Sequence, residues 1–200
     1  MTDEPTPMKA LAHADLLSLE NYARERAEFR ARVMAHKKAR TLHVGAHLTL
    51  LFEDRLTIQY QVQEILRIER IFEAERIQDE LDAYNPLIPD GDNLKATLMI
   101  EFADVEQRRR ELARLRGLEH AIELRVAGCP PVLAVADEDL PRSNEEKTSA
   151  VHFLRFPLTP THIAAWNAGA PVRVACTLAA MPVEATLSGE QRCALAADFA

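Results

Sequence analysis

Cysteine is scarce. The chain has 200 residues and three cysteines, Cys129, Cys176 and Cys193. Their number is odd and they lie far apart, so neither a disulfide framework nor a CxxC redox site is expected. Three reduced thiols in a cytoplasmic protein is the expectation. No apolar run approaches the length that crosses a bilayer, so no membrane role is expected. The first residues, MTDEPTPMK, are acidic and lack the hydrophobic core of an export signal. Aromatic residues make up 6% of the chain, and the formal net charge is −7. An acidic balance disfavours a general nucleic-acid-binding role. GxGxxG, Walker A, HExxH, GxSxG and zinc-ligand spacings are all missing, as is any Glu-x-x-His pair on a helical segment. No cofactor or metal site is expected on these grounds.

What is present is ordinary globular material, 48% hydrophobic and 28% charged, enough for one sizeable core. The longest periodic stretch is Leu56–Tyr84. Apolar residues recur at Ile58, Val62, Ile65, Ile68 and Phe72, with Leu66 and Ile71 beside them, at helical spacings. The first third also alternates as a strand would, but the later phase continues through it, and helix is the preferred reading throughout. Asp54 or Thr57 is placed to cap its start, and Pro86 stops it. At about 100° per residue, Glu69 falls inside the apolar arc, with Glu73, Arg76 and Glu80 along the same stripe. A bare carboxylate there is costly, so Glu69 is expected to be buried and bonded to Arg or His. His152 and Arg155 are the first candidates and Arg76 the local alternative.

The rest of the chain reads as α+β: a mainly antiparallel sheet packed by that long helix, with an N-terminal helical arm. Residues 1–10 form a loose tail, and 11–200 a single domain whose arm spans 11–40, with a bend near Asn21. Strands are expected on either side of Gly45 in 41–53, then at Lys95–Phe102, Ile122–Val126, Val132–Ala136, Thr148–Leu158, Val172–Leu178 and Val183–Leu187. His43 and His47 beside Gly45 read as surface histidines. The run NPLIPDGDN is a turn-rich loop anchored by Leu87 and Ile88, without the ligand spacing of a calcium loop. A helix follows Asp104, with Val105, Leu112 and Leu115 inward and Gly117 at its end. Asp137–Lys147 is an acidic loop. In Thr148–Leu158 both alternating sets are apolar, the pattern of a strand covered on both faces. His152 shares one face with Leu154 and Phe156, and Arg155 the other with Phe153. Short helices open at Thr159-Pro160 and Ser188.

The runs ADLLSLENYARERAEFRARV, LTLLFEDRLTIQYQVQEILRIERIFE, ELDAYNPLIPDGDNLKATLMIE and NEEKTSAVHFLRFPLTP together resemble DUF3501, a bacterial domain-of-unknown-function family of about this length. The likeness runs nearly the whole way to about residue 170. The family is often encoded beside rubrerythrin-like proteins and cysteine-rich iron–sulfur oxidoreductases, which implies a role in redox or oxidative-stress metabolism. The resemblance carries over no catalytic residue. It adds weight to Glu64, Arg67, Glu69 and Arg70, to the loop that begins at Asn85, and to Glu146, Lys147, His152 and Arg155 as candidate binding residues. Two functions follow as expectations. One is a non-catalytic accessory protein that docks on an iron–sulfur oxidoreductase or a rubrerythrin-like protein. The other is a metal-binding or catalytic oxidoreductase component using Glu69 and His152. The charged back of the N-terminal arm further suggests a homodimer.

Overall fold

The computed structural model describes residues 9–199. The loose tail expected at 1–10 therefore falls, except for Lys9 and Ala10, outside the described residues. The chain runs through α1 (Leu19–Lys38), β1 (Thr41–Val44), β2 (Leu48–Glu53), α2 (Arg55–Glu69), α3 (Ala74–Tyr84), β3 (Asn93–Ile100), α4 (Val105–Arg114), β4 (Ile122–Val126), β5 (Val132–Leu133), β6 (Val135–Ala136), β7 (Val151–Pro157), α5 (Pro160–Asn167), β8 (Val172–Cys176), β9 (Val183–Thr186) and α6 (Gly189–Ala196). This is the expected α+β architecture, with its strands in two antiparallel sheets. One has the order β1-β2-β3-β7-β6 and the other β5-β4-β8-β9. The stretch 132–136, expected as one strand, is two. Ala134 lies between β5, which pairs in the second sheet, and β6, which pairs in the first.

Alternation along each strand builds the main core. Leu50, Leu98, Leu154 and Phe156 from the first sheet meet Leu124, Val126 and Val174 from the second in one buried cluster. α5 and α6 extend that cluster through Trp166 and Leu195, and the Trp166 indole donates to Arg192 O at 3.0 Å. The β1–β2 turn needs Gly45, whose φ is +68° and whose added Cβ would lie 3.0 Å from a Val183 methyl. In β7 the pattern differs from expectation. His152, Leu154 and Phe156 are buried, but Val151 is exposed and Phe153 and Arg155 are only half-buried. The strand lies one from the sheet edge, so its outer face is open rather than covered. Val105 likewise lies outside, because it is the first residue of a surface helix; Leu112 and Leu115 are buried as expected.

The helices α1 to α3 form a layer on the outer face of the first sheet. Where α2 meets β2, buried Glu53 accepts hydrogen bonds from Thr57 of α2 and Thr97 of β3, both at 2.6 Å. Asp54 caps α2 by accepting from the Thr57 amide. The single long helix expected over 56–84 is broken in two. Arg70 takes the left-handed conformation (φ 55°), and the Ile71 amide donates back to Leu66 O at 2.9 Å. This is a Schellman-type end, with Ile71 closing over Leu66 in the second core cluster. The usual marker of such an end is glycine, and here arginine stands in its place.

The N-terminal arm also differs. Its helix starts at the Ser18 cap, and 11–17 is a strap with one 3-10 turn at His13–Asp15. Side-chain amides hold that strap as a neighbouring strand would. Asn85 pairs with the Leu11 N–H and C=O at 2.8 and 2.9 Å, and Gln63 with those of Leu17 at 2.6 and 3.2 Å. Satisfied locally in this way, residues 11–17 have no need of helical bonds.

Candidate functional site

Two places on the surface combine a rigid frame with unusual chemistry, and a buried polar chain stands behind one of them. The first is the corner between α2 and α3. Glu64 is its hub. The Tyr22 hydroxyl donates to Glu64 Oε1 at 2.6 Å, and Arg26 donates through Nε and Nη2 at 2.8 and 2.9 Å. Arg67 adds a bond from Nη2 at 3.2 Å. The Arg26 fork holds the Glu64 carboxyl down to about 2 against the effect of burial, with help from Tyr22 and Arg67. Burial and the same carboxylate push the Tyr22 hydroxyl well above its ordinary range. Beyond this lock the apolar side chains turn outward: Ile68 is 65% exposed and Phe72 is 71% exposed. The Nε of Arg67 is buried without a hydrogen-bond partner among the described residues.

The Glu64 lock has a pH signature. A carboxyl held low when folded stabilises the protein above its unfolded value near 4.5 and loses that contribution as pH falls through about 2. Glu64→Gln should therefore cost about 1.5–3 kcal/mol at neutral pH, the scale of hydrogen bonds to a charged group. It should also flatten the stability loss between about pH 4.5 and 2. Urea unfolding across that range measures both effects; parallel pH profiles for the two proteins would contradict them.

The second place is a cleft of about 590 Å³ at the far end of α3. Tyr84, Pro86 and Leu87 form one wall, and Phe153 and Arg155 of β7 the other. Three cations converge on it. Lys95 donates to Ile88 O and pairs with Asp90, each at 2.8 Å. Arg155 forms a two-pronged pair with Glu138 at 2.8 Å. Arg142 pairs with Asp139 at 2.5 Å and lies 4.4 Å from the centre of the Phe153 ring. The Arg142 bond holds the Asp139 carboxyl down to about 2.

The loop 137–148 that carries Glu138, Asp139 and Arg142 is tied to the core at both ends by buried polar groups. Glu119 accepts bonds from the hydroxyls of Ser143 and Thr148. Each hydroxyl has one hydrogen, so Thr148 Oγ1 is left to accept from His152 Nε2 at 2.8 Å, and that nitrogen also faces Ser149 O at 3.1 Å. His152 Nδ1 faces Asp137 Oδ2 at 2.6 Å. Both ring nitrogens therefore face acceptors, and the buried ring lies between the Asp137 and Glu119 carboxylates. Burial pushes the Glu119 carboxyl up, but the bonds from Ser143, its own backbone and Thr148, together with the charge of His152, outweigh burial and leave it below its usual range. Asp137 is one of two non-glycine residues with positive φ (51°) among the described residues, and its other oxygen accepts from the Phe153 amide at 3.0 Å.

A family model described as protein of unknown function (DUF3501) matches residues 10–199. The chain belongs to this family. A solved structure supports the fold: a crystal structure of a novel protein of unknown function from Burkholderia pseudomallei K96243 is 51% identical, with a TM-score of 0.92 over 96% of this chain and 100% of that one. No curated protein matches the chain.

In this DUF3501 protein the candidate binding residues scatter. Glu64, Arg67 and Arg70 belong to the corner and Arg155 to the cleft. Asn85 is half-buried and occupied by the strap. Glu146 and Lys147 are exposed in a turn where their amides donate to Asn144. Glu69 overturns the sharpest expectation. It is exposed and forms no hydrogen bond or ion pair with any of the described residues. The helix ends at Glu69, so the arc on which it was placed stops there. His152 faces the core between the sheets, with the first sheet between it and the helical layer; the two cannot form the pair or the shared metal site envisaged for them. Arg155 takes Glu138 and Arg76 approaches Glu73 at 4.0 Å. Among the described residues, no three His, Cys, Asp or Glu side chains are grouped to hold a metal ion, and no helix is long and apolar enough to cross a membrane. All three cysteines are free. Sequence reasoning missed Tyr22, Arg26, Lys95, Glu119, Asp137 and Arg142. The spacing of four between Tyr22 and Arg26, which places both on one helix face, was the single available signal.

Proposed function

We propose that the protein is a non-catalytic accessory protein that docks on a redox partner through the α2–α3 corner. It acts in the cytoplasm, where its free thiols stay reduced. The family resemblance makes an iron–sulfur oxidoreductase or a rubrerythrin-like protein the partner to test. One observation carries the reading: a left-handed Arg70 ends α2 so that Ile68 and Phe72 stand in solvent on a frame locked by Glu64. A non-glycine residue in that conformation costs about 1–3 kcal/mol and is concentrated at functional sites. An exposed aromatic with arginines beside it, on a rigid support, is the composition of an interface hot spot.

Isothermal titration with each purified candidate tests it. Phe72→Ala should leave the melting temperature unchanged and weaken binding at least tenfold. Binding by neither candidate, or an affinity indifferent to Phe72→Ala, overturns the reading. The homodimer belongs to the same proposal, with the N-terminal arm packing on a second copy of the chain. Light scattering at tens of micromolar should report a dimer in the free protein, and a monomer there removes it.

A further inference from the structure

We propose that the cleft beside Leu87 and Phe153 binds a small apolar carboxylate, an acyl or aryl acid, with its carboxylate between Lys95 and Arg155. This site is separate from the docking corner: α3 runs from one to the other, and either proposal stands if the other fails. The volume, about 590 Å³, lies within the range of small-molecule sites.

The charge arrangement names the ligand. Lys95 and Arg155 are direct cross-strand partners in the β3–β7 register and share one face of the sheet. Like charges directly opposite each other are destabilising, so the fold retains a cost at the floor of this cleft. The acids that offset this cost, Asp90, Glu138 and Asp139, also line the cleft, as does Asp82, but they stand nearer to solvent than the cations. The side chains of Asp90, Glu138 and Asp139 are 62%, 49% and 53% exposed, whereas those of Lys95, Arg155 and Arg142 are 10%, 31% and 18% exposed. The cations are fixed and the carboxylates are on the rim. An incoming carboxylate exchanges one charge-assisted pair for another at Arg155 and Lys95, while Glu138 and Asp90 swing back into water. The net gain then comes from the ligand's apolar body, which Tyr84, Pro86, Leu87 and the Phe153 ring under Arg142 remove from water. A neutral apolar molecule leaves the cations with their rim acids and gains no electrostatic specificity. A multiply charged anion has no apolar body to bury.

The test is a two-dimensional amide NMR titration of the full chain with octanoate and with 4-phenylbutyrate, using octanol and inorganic phosphate as controls. We expect saturable shifts centred on Leu87, Phe153 and Arg155 for at least one of the two acids. For octanol and phosphate we expect at least tenfold weaker binding. Arg155→Glu should weaken acid binding at least tenfold. Leu87→Asp, at the half-buried mouth, should do the same without touching a cation, and it decides the matter if Arg155→Glu does not fold. The proposal is overturned by the absence of saturable shifts to millimolar acid. It is equally overturned by octanol or phosphate binding as well as the acids, by shifts centred elsewhere, or by affinity unchanged in a folded variant.

Discussion

Arg40→Met should lower the unfolding free energy by about 3–5 kcal/mol, the scale of removing one partner from a buried pair. Arg40 is 1% exposed and spends its guanidinium on the carbonyls of Phe52, Glu53 and Ala194 and on the Asp198 carboxylate, at 2.5–3.1 Å. It thereby fastens the end of the chain to the β1–β2 hairpin. Methionine fills much of the volume but leaves three carbonyls and a carboxylate without their donor. The loss should depend on pH. Burial pushes the Asp198 carboxyl up to about 6 despite the pull of Arg40. A carboxyl raised in the folded state adds stability below its unfolded value near 3.8 and loses that contribution as pH rises through about 6. Without Arg40 the carboxyl rises further, so the deficit of the variant should be larger at pH 7.5 than at pH 5. Urea unfolding at both values checks this. A loss under about 1 kcal/mol, the size of an ordinary exposed ion pair, would mean that Arg40 is not the tie the geometry describes.

His152→Leu should cost a similar amount, about 3–5 kcal/mol, although leucine suits the apolar neighbours Leu98 and Leu154. The reason is what it abandons: Asp137 loses its buried donor, and Thr148 and Glu119 lose the charge that faces them. Asp137→Asn is the informative companion, because asparagine tolerates the left-handed conformation at that position and removes only the charge. The double-mutant cycle between the two should return a coupling of at least 1 kcal/mol, whereas independent sites add within about 0.5 kcal/mol. Hydrogen exchange should also quicken across 138–147 in His152→Leu, since the loop between Asp137 and Thr148 loses an anchor. An additive cycle with unchanged exchange would show that the two ends of that loop are held separately.

Much of the fold was readable from short-range rules. Asp54, Asp104, Thr159 and Ser188 each cap the helix expected after them by accepting from the amide three residues on. The strands announced by alternation are strands, and Ile88 anchors the loop between the prolines as expected. These features depend on neighbours within four residues or on a period of two, and a sequence displays both. The break after Glu69 was hidden because its marker, a glycine, is replaced by Arg70. What decides the end is the contact of Ile71 with Leu66, in a cluster completed by Leu11 and Ile88 from elsewhere in the chain.

The candidate site was less legible, for a related reason. Placing Glu69 inward follows from local periodicity, and it is reversed in the structure. Whether a charge goes inside depends on whether a partner waits there, and that partner is set by tertiary contact. Arg40 meets an aspartate 158 residues away, Glu119 meets Thr148 across 29 residues, and Glu64 meets Arg26 across 38. By itself the sequence determined the α+β class, the helix caps, the separation of the cysteines and the family likeness. Only the tertiary structure decided which charges are buried, that the strands divide between two sheets, and that Lys95 and Arg155 face each other in a cleft. Desolvation makes an unpaired buried charge too costly to keep, so each choice awaited the long-range partner that removes the cost.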